Sequence, residues 1–417
     1  MASMAGSETD PARESLGRLF LRFLRFGFLA WGGPVAQIAM IRQELVEEEK
    51  RISPERFNRV LAVYQVLPGP EATELCCYFG MLSRGRLGSI VAGLGFVLPG
   101  FVFMFILSWL YLAYGLTSPL ALAAFAGVQP AVAALVVRAV HRIGGHAVHG
   151  WRLLTIAFVA AAATALGVHF LAVIVLAGLA HVAALPGRQR TAAAALLVIG
   201  AGMLIFFATR TEPPQWLFGT GARSPEVAAG ADGAAAASDM ARPSLLALTG
   251  SGLSAGLLTF GGAYTVIPFL QHDAVFSAHA WMTPSQFMDG LALSGVLPAP
   301  LIIFATFVGY LGGGALGALV MTIAIFAPAF SFTLIGHELL ERAVENKALH
   351  ALLDGVTAGV VGLIAIAAVA LIKQGVTSPA AVVIFGLSLA ALYRFKGKAI
   401  VPLVIGGAAL AGLVLRS

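Results

Sequence analysis

Charge is scarce in this chain: Asp, Glu, Lys and Arg together make up 11% of its 417 residues, against 59% for the apolar set. A water-soluble globule carries about 25% charged and about 45–50% apolar residues. The chain therefore lacks the polar surface that a soluble fold of its size needs, and the composition implies an integral membrane protein. Cysteine is nearly absent, with only Cys76 and Cys77. Neighbouring residues rarely meet the Cβ separation and dihedral of a disulfide, so no disulfide framework is expected, and both are read as small buried apolar residues. The N-terminal run MASMAGSETDPARESLGRLFLRFLRF interrupts its apolar residues with arginine and has no h-region before a cleavage site, so no signal peptide is expected. Also missing are GxxxxGK[ST], HExxH and GxSxG, which removes a phosphate loop for direct ATP drive and the usual hydrolase centres. An enzyme is not expected.

The net charge of +6 comes from 26 Lys and Arg against 20 Asp and Glu. The basic residues sit mostly in short stretches between apolar runs, a topology signal and not a nucleic-acid face. His141, His146 and His149 fit no zinc spacing, so no metal and no other cofactor is expected.

What is present is a repeat. Trp31-Gly32-Gly33-Pro34 aligns with Phe260-Gly261-Gly262-Ala263, and Ser53-Pro54-Glu55-Arg56-Phe57 with Thr283-Pro284-Ser285-Gln286-Phe287. Leu67-Pro68-Gly69-Pro70 aligns with Leu297-Pro298-Ala299-Pro300, Leu87-Gly88 with Leu316-Gly317, and Gly127-Val128 with Gly355-Val356. The offset stays at about 229 residues throughout, as a tandem duplication requires. Residues 209–243, rich in Pro, Gly, Ala and Ser, form the linker, which divides a first repeat (16–208) from a second (244–417).

About 20 apolar residues cross a bilayer core. Spans are predicted over 88–113, 119–137, 152–166, 169–185 and 192–208, and over 314–335, 348–372, 378–393 and 398–415. The stretches 16–45 and 57–82 are instead broken at Gly32-Gly33-Pro34 and Pro68-Gly69-Pro70 into pieces too short to span. They are either kinked spans or re-entrant hairpins. The positive-inside rule favours re-entrance: residues 46–56 hold Lys50, Arg51 and Arg56, whereas the equivalent 271–283 holds no Lys or Arg. On the same count Arg84, Arg86, Arg138, Arg142, Arg152, Arg188 and Arg190 lie in cytoplasmic loops, with Lys373 a misfit. The fold class expected is an all-α integral membrane protein of two inverted repeats, each opening with broken hairpins, with a cytoplasmic N-terminus.

Irregular backbone at membrane depth persists only where protein or a water-filled cavity satisfies it, and in inverted-repeat transporters it builds the substrate site. A helical piece starting after each break offers free N–H donors and roughly half a positive charge, so several converging would suit a small anion. The alternative is kinking and close helix packing. Arg22, Arg25, Arg42 and Arg59 read chiefly as interfacial anchors. The glycines around Gly88–Gly95 and Gly312–Gly317 read as helix packing.

The runs FGFLAWGGPVAQIAMIRQEL and YQVLPGPEATELCCYFG, with the echoes FGGAYTVIP and LPAPLIIFATFVGY, resemble the chromate ion transporter family, in its long two-domain form, over nearly the whole chain. The resemblance implies a plasma-membrane protein that exports chromate, a sulfate analogue, by the proton motive force. It places the substrate site on Gly32, Gly33, Pro34 and Gln37 and on Tyr64, Gln65, Pro68, Gly69 and Pro70, with Gly261, Gly262, Tyr264, Pro298 and Pro300 as second-repeat counterparts. Ala263 and Ala299 depart from the strict pattern there. Glu71 and Glu74 are candidates for proton coupling, since an intramembrane carboxylate is a functional candidate by default, although acids also cap helix N-termini. The expected partners are chromate or sulfate, protons, the lipid bilayer and a second copy of the chain. A carrier of another oxyanion, a passive anion channel and, more remotely, a membrane scaffold stay open as alternatives.

Overall fold

Glycine and proline decide where these apolar segments stop and turn back. A computed structural model describes residues 14–31, 34–115, 118–168, 170–184, 242–260, 263–277, 279–344, 347–395, 397 and 399–416. The span expected over 192–208 and nearly all of the linker lie outside the described residues. Among the described residues every regular element is helical.

The first repeat opens with α1 (Leu16–Phe28), whose N-terminus is capped by Ser15, and α2 (Pro34–Arg42), which continues as a π-helical stretch, Gln43–Glu48. These run antiparallel: Arg22 and Arg25 pair with Glu49 and Glu44, and at the turn Gln37 Nε2 donates to the Ala30 carbonyl, 2.9 Å. Then come α3 (Pro54–Val66), capped by Ser53, and α4 (Glu71–Leu110). Arg56 Nε donates to the Tyr78 hydroxyl at 3.1 Å and Phe57 stacks on Phe79, so α3 and the start of α4 are also antiparallel.

α4 is not a single rod. Arg84 and Gly85 leave the helical region, Gly85 at φ +60°, where a β-carbon is strained. The chain reverses so tightly that a side chain on Gly80 or Gly88 would strike the other's carbonyl. Residues 71–83 are thus the return arm of a hairpin with its tip at 67–70. The following arm, 86–110, is about 37 Å long at 1.5 Å per residue. Arg51 ties the base, donating to Ser83 Oγ and Glu14, each at 3.0 Å. The repeat continues through α5 (Pro119–Ala147), α6 (Trp151–Ala165) and α7 (Phe170–Ala183).

The second repeat follows the same plan with α8 (Leu245–Leu257), the short α9 (Val266–Gln271), α10 (Pro284–Val296), α11 (Phe304–Val344), α12 (Lys347–Gly375), α13 (Pro379–Arg394) and α14 (Ile400–Arg416). In α11 the reversal falls at Gly314, φ +60°. There Gly309 meets Gly317 as Gly80 meets Gly88, and the hydroxyls of Thr306 and Thr322 lie 2.7 Å apart across the fold. Each break in this repeat is followed by a 3-10 turn, Ala263–Thr265 or Leu301–Ile303, before the α-helix begins.

The long arm of α4 shows that the hairpins enter from opposite faces. The tip residue Ala299 packs on Gly100, whereas nearer the hairpin base Tyr310 meets Phe105 at 5.2 Å and Phe307 meets Tyr111 at 5.1 Å. The base of that hairpin therefore lies at the end of the arm remote from Gly85. Packing obeys the same two-fold relation. Gly69 packs on Ala329 as Ala299 packs on Gly100, and Gly27 meets the Phe96 carbonyl as Gly256 meets that of Ile325. Gly127 of α5 meets the Ala408 carbonyl of α14, as Gly355 of α12 meets that of Ala177 in α7. Small residues let backbones approach closely where lipid offers no hydrophobic drive between helices. The repeats consequently interlock, α5 lying on α13 and α14, and α12 on α6 and α7.

By length and composition four described helical stretches could cross a membrane: Pro119–Gly145, Leu349–Gly375, and Glu71–Tyr114 and Leu301–Ile335 through the arms that follow their reversals at Gly85 and Gly314. The chain is a multi-pass membrane protein. One expectation needs correction: the span over 119–137 extends to Ala147. Nothing in LVVRAVHRIGG ends a helix before Gly150, at φ +89°, so Arg138, His141 and Arg142 belong to α5 and not to a cytoplasmic loop. Cys76 and Cys77 are buried free thiols.

Two predictions follow from this scaffold. Gly85→Ala should cost about 1–3 kcal/mol through backbone strain, whereas Gly17→Ala, inside α1 with open space around it, should not; thermal unfolding in detergent reads both. At the hairpin base, burial alone would raise the Glu49 carboxyl, but hydrogen bonds from Arg51 and Arg22 hold it below the usual carboxylate range. Its stabilisation is full above the unfolded value of about 4.3 and is lost as pH falls through the lower folded value. Glu49→Gln should flatten that acid-side decline in melting temperature.

Candidate functional site

The hairpin tips and α5 enclose a cavity of about 90 Å³. One water needs only ~10–15 Å³ by the same measure, so a small ion fits. Trp31 and Pro34 come from the first hairpin tip, Tyr264 from the third, and Leu297, Ala299 and Leu301 from the fourth, with Ser294 and Gly295 on its incoming arm. The remaining wall is α5, through Leu135, Arg138, Ala139 and Arg142, together with Gly397 and Ile400–Pro402 at the start of α14.

Leu135, Arg138 and Arg142 fall three and four residues apart, which stacks them on one helix face. Among the described residues no carboxylate lies within ion-pair distance of either arginine. Arg142 is within electrostatic range of Glu71, and both arginines are within range of Tyr264. The cavity thus presents two guanidinium groups without bound counter-charge, opposite irregular backbone. Arginine's planar fork of donors suits paired contacts to a tetrahedral oxyanion.

The sequence-predicted residues divide between this wall and the packing behind it. Pro34 and Tyr264 line the cavity, and Pro298 and Pro300 flank the lining residues Leu297, Ala299 and Leu301. Gly32, Gly33, Gly261 and Gly262 lie outside the described residues. Gln37 is buried behind the first tip, its amide on Ala30 and its Oε1 without a partner. The tip formed by Pro68, Gly69 and Pro70 is buried and does not reach the wall. The Gly69 amide donates to the Thr259 carbonyl, 2.8 Å, across the two repeats, so that N–H is already used. Tyr64 shares a hydrogen bond with Thr333 at 3.3 Å, and Gln65 is exposed. Glu74 is 0% exposed beside Gly69, and neither carboxyl oxygen has a partner.

Arg138 and Arg142 are the residues that sequence reasoning missed as site candidates. The available signal was their four-residue spacing inside an apolar run, at positions where the second repeat has Ile366 and Ala370. Among the described residues no group of three or more His, Cys, Asp or Glu comes together as a metal site.

A family model described as chromate transporter matches residues 17–182 and 246–413, the two repeats in turn. A chromate transport protein of Pseudomonas aeruginosa is 50% identical over 415 residues, covering 99% of this chain and 95% of its own. A chromate transport protein of Cupriavidus metallidurans is 30% identical over 414 residues, covering 98% and 96%. No solved structure matches the chain.

Proposed function

This chain belongs to the chromate transporter family, and from that premise we propose that it is a secondary transporter exporting chromate across the plasma membrane, with the oxyanion held in the cavity between the hairpin tips and α5. The observation that carries this is the pair Arg138 and Arg142, facing the tips without an ion-pair partner among the described residues. A dianion leaving water needs compensating charge. Two guanidiniums supply it, and the first-tip helix end at Pro34 adds its dipole. Gly397 and Ile400–Pro402 line the cavity, and the basic residues Arg394, Lys396 and Lys398 adjacent to them in sequence are assigned by the positive-inside rule to the cytoplasm. That is the side from which an exporter loads, and it accords with a cytoplasmic N-terminus and with hairpins that are re-entrant from opposite faces.

Glu71 supplies the link to protons. Ionised, it competes with the oxyanion for Arg142; protonated, it leaves that guanidinium to the substrate. Glu74, buried one turn on without cation or donor, is suited to hold a proton behind the tip. A dianion leaving with one proton carries out one net negative charge, so an inside-negative potential drives that step by about 2.3 kcal/mol per 100 mV, while an acid-outside pH gradient opposes it. Chromate and sulfate share charge and shape, so guanidinium and backbone donors alone separate them weakly.

Uptake of labelled chromate into inside-out vesicles tests the proposal. Accumulation should depend on the proton motive force. Arg142→Ala should weaken it by roughly 10–100-fold, the loss of a charge-assisted hydrogen bond of about 1.5–3 kcal/mol. Glu71→Gln should remove its dependence on cytoplasmic pH. Sulfate-only accumulation would instead identify another oxyanion carrier, and flux that ignores the gradient would identify a channel. Topology has its own check: Lys50→Cys should label from the cytoplasm and Ser277→Cys from outside, and the reverse pattern overturns the orientation.

A further inference from the structure

Asp289 is a buried carboxylate that the cavity does not use. It sits on α10 at 5% exposure. Oδ2 accepts from the Tyr111 hydroxyl at 2.8 Å and Oδ1 from Gln129 Nε2 at 3.0 Å, while Gln129 also donates to Ser285 Oγ at 2.7 Å. Tyr111 ends the long arm of α4 and Gln129 belongs to α5, so the carboxylate ties the second-repeat hairpin to two helices of the first. The Tyr111 ring is wedged between Phe125 and Phe307, 5.3 and 5.1 Å away.

The groups facing Asp289 are uncharged. On α4 the facing ionisable group is the Tyr111 phenol, on α5 it is the neutral Gln129, and on α11 the side chain behind Tyr111 is Phe307. α12 approaches through Gly375, beside Met288 and the Gln129 carbonyl, and its Lys373 is exposed. α14 meets α10 through Val401 and Ile405 at Gly295. Arg138 and Arg142 are nine and thirteen residues further along α5, about 14 and 20 Å at 1.5 Å per residue. A buried carboxylate satisfied by neutral donors and without a cation has one small occupant that its oxygens can take, a proton.

We infer that Asp289 is a proton-binding site beside the N-terminal half of α5, whose C-terminal half lines the cavity, and that its protonation loosens the contact between the repeats there. Ionised, the carboxylate accepts from both donors and closes the seam. Protonated, one of its oxygens becomes a donor, so Tyr111 or Gln129 loses its acceptor unless it turns, and Gln129 retains Ser285. A cavity along the C-terminal half of α5 and a proton-released tie beside its N-terminal half are paired elements of the kind that alternating access uses. The proton site stands on its own geometry; only its link to flux rests on the proposed transport.

Infrared difference titration of the purified full-length protein, in detergent, tests the site without substrate. One titrating carboxyl band should vanish in Asp289→Asn and persist in Glu71→Gln. Tyr111→Phe, which removes a donor to the ionised form, should shift the midpoint of that band to higher pH. Superimposable spectra for wild type and Asp289→Asn, or an unmoved midpoint in Tyr111→Phe, would overturn the inference, and the Tyr111 variant decides the matter should Asp289→Asn fail to fold. In vesicles, Asp289→Asn should abolish the response of chromate flux to pH on the extracytoplasmic side. An unchanged response breaks the link to transport, while wild-type vesicles that carry no chromate sink the transport proposal and leave the band assignment intact.

Discussion

Peptide N–H and C=O groups that leave a helix inside an apolar medium must be satisfied by protein, and the rest of this structure depends on how that is done. Each repeat interrupts its first two helical elements with glycine and proline. The loose ends are not left to lipid: the Gly69 amide of one repeat finds the Thr259 carbonyl of the other, and Ala30 takes the Gln37 side chain. Because the Gly69 amide of one repeat is satisfied by the Thr259 carbonyl of the other, the two tips are held together at depth.

Tight glycine contacts carry this constraint outward. The reversals at Gly85 and Gly314 work because Gly80 with Gly88 and Gly309 with Gly317 permit two helix backbones to touch. Without those contacts the short arms would have to pass through the bilayer as kinked rods, and the tips would separate. The same residue type thus sets both the turn and the depth to which each hairpin reaches.

Much of this was legible in one dimension. Glycine and proline recur at a fixed offset because both repeats need the same reversals, and the three Lys and Arg of residues 46–56 against none in 271–283 pointed to opposite entry. Arg138 and Arg142 were misplaced for a physical reason. Counting positive charge treats an arginine as the end of an apolar segment, yet a guanidinium facing a polar cavity can stay in the helix. The Pro68-Gly69-Pro70 tip was placed at the substrate site through the family resemblance, and the structure packs it against the other repeat, away from the cavity wall. Composition reports that a backbone is broken; it does not say which side of the break faces solvent and which faces another tip.

Symmetry of scaffold therefore does not imply symmetry of chemistry. Where α5 has Arg138 and Arg142, α12 has Ile366 and Ala370, and where α10 has Asp289, α3 has the basic Arg59. Two copies of one fold supply a pseudo-two-fold frame in which either end could open. Charge placed on one copy alone makes the ends different: cations on the C-terminal half of α5, a carboxylate beside its N-terminal half. An equal distribution would leave both ends with the same affinity for an anion, and a ligand with equal affinity for two states shifts neither. The asymmetry of a few side chains, set on a symmetric backbone, is what can give such a molecule a direction.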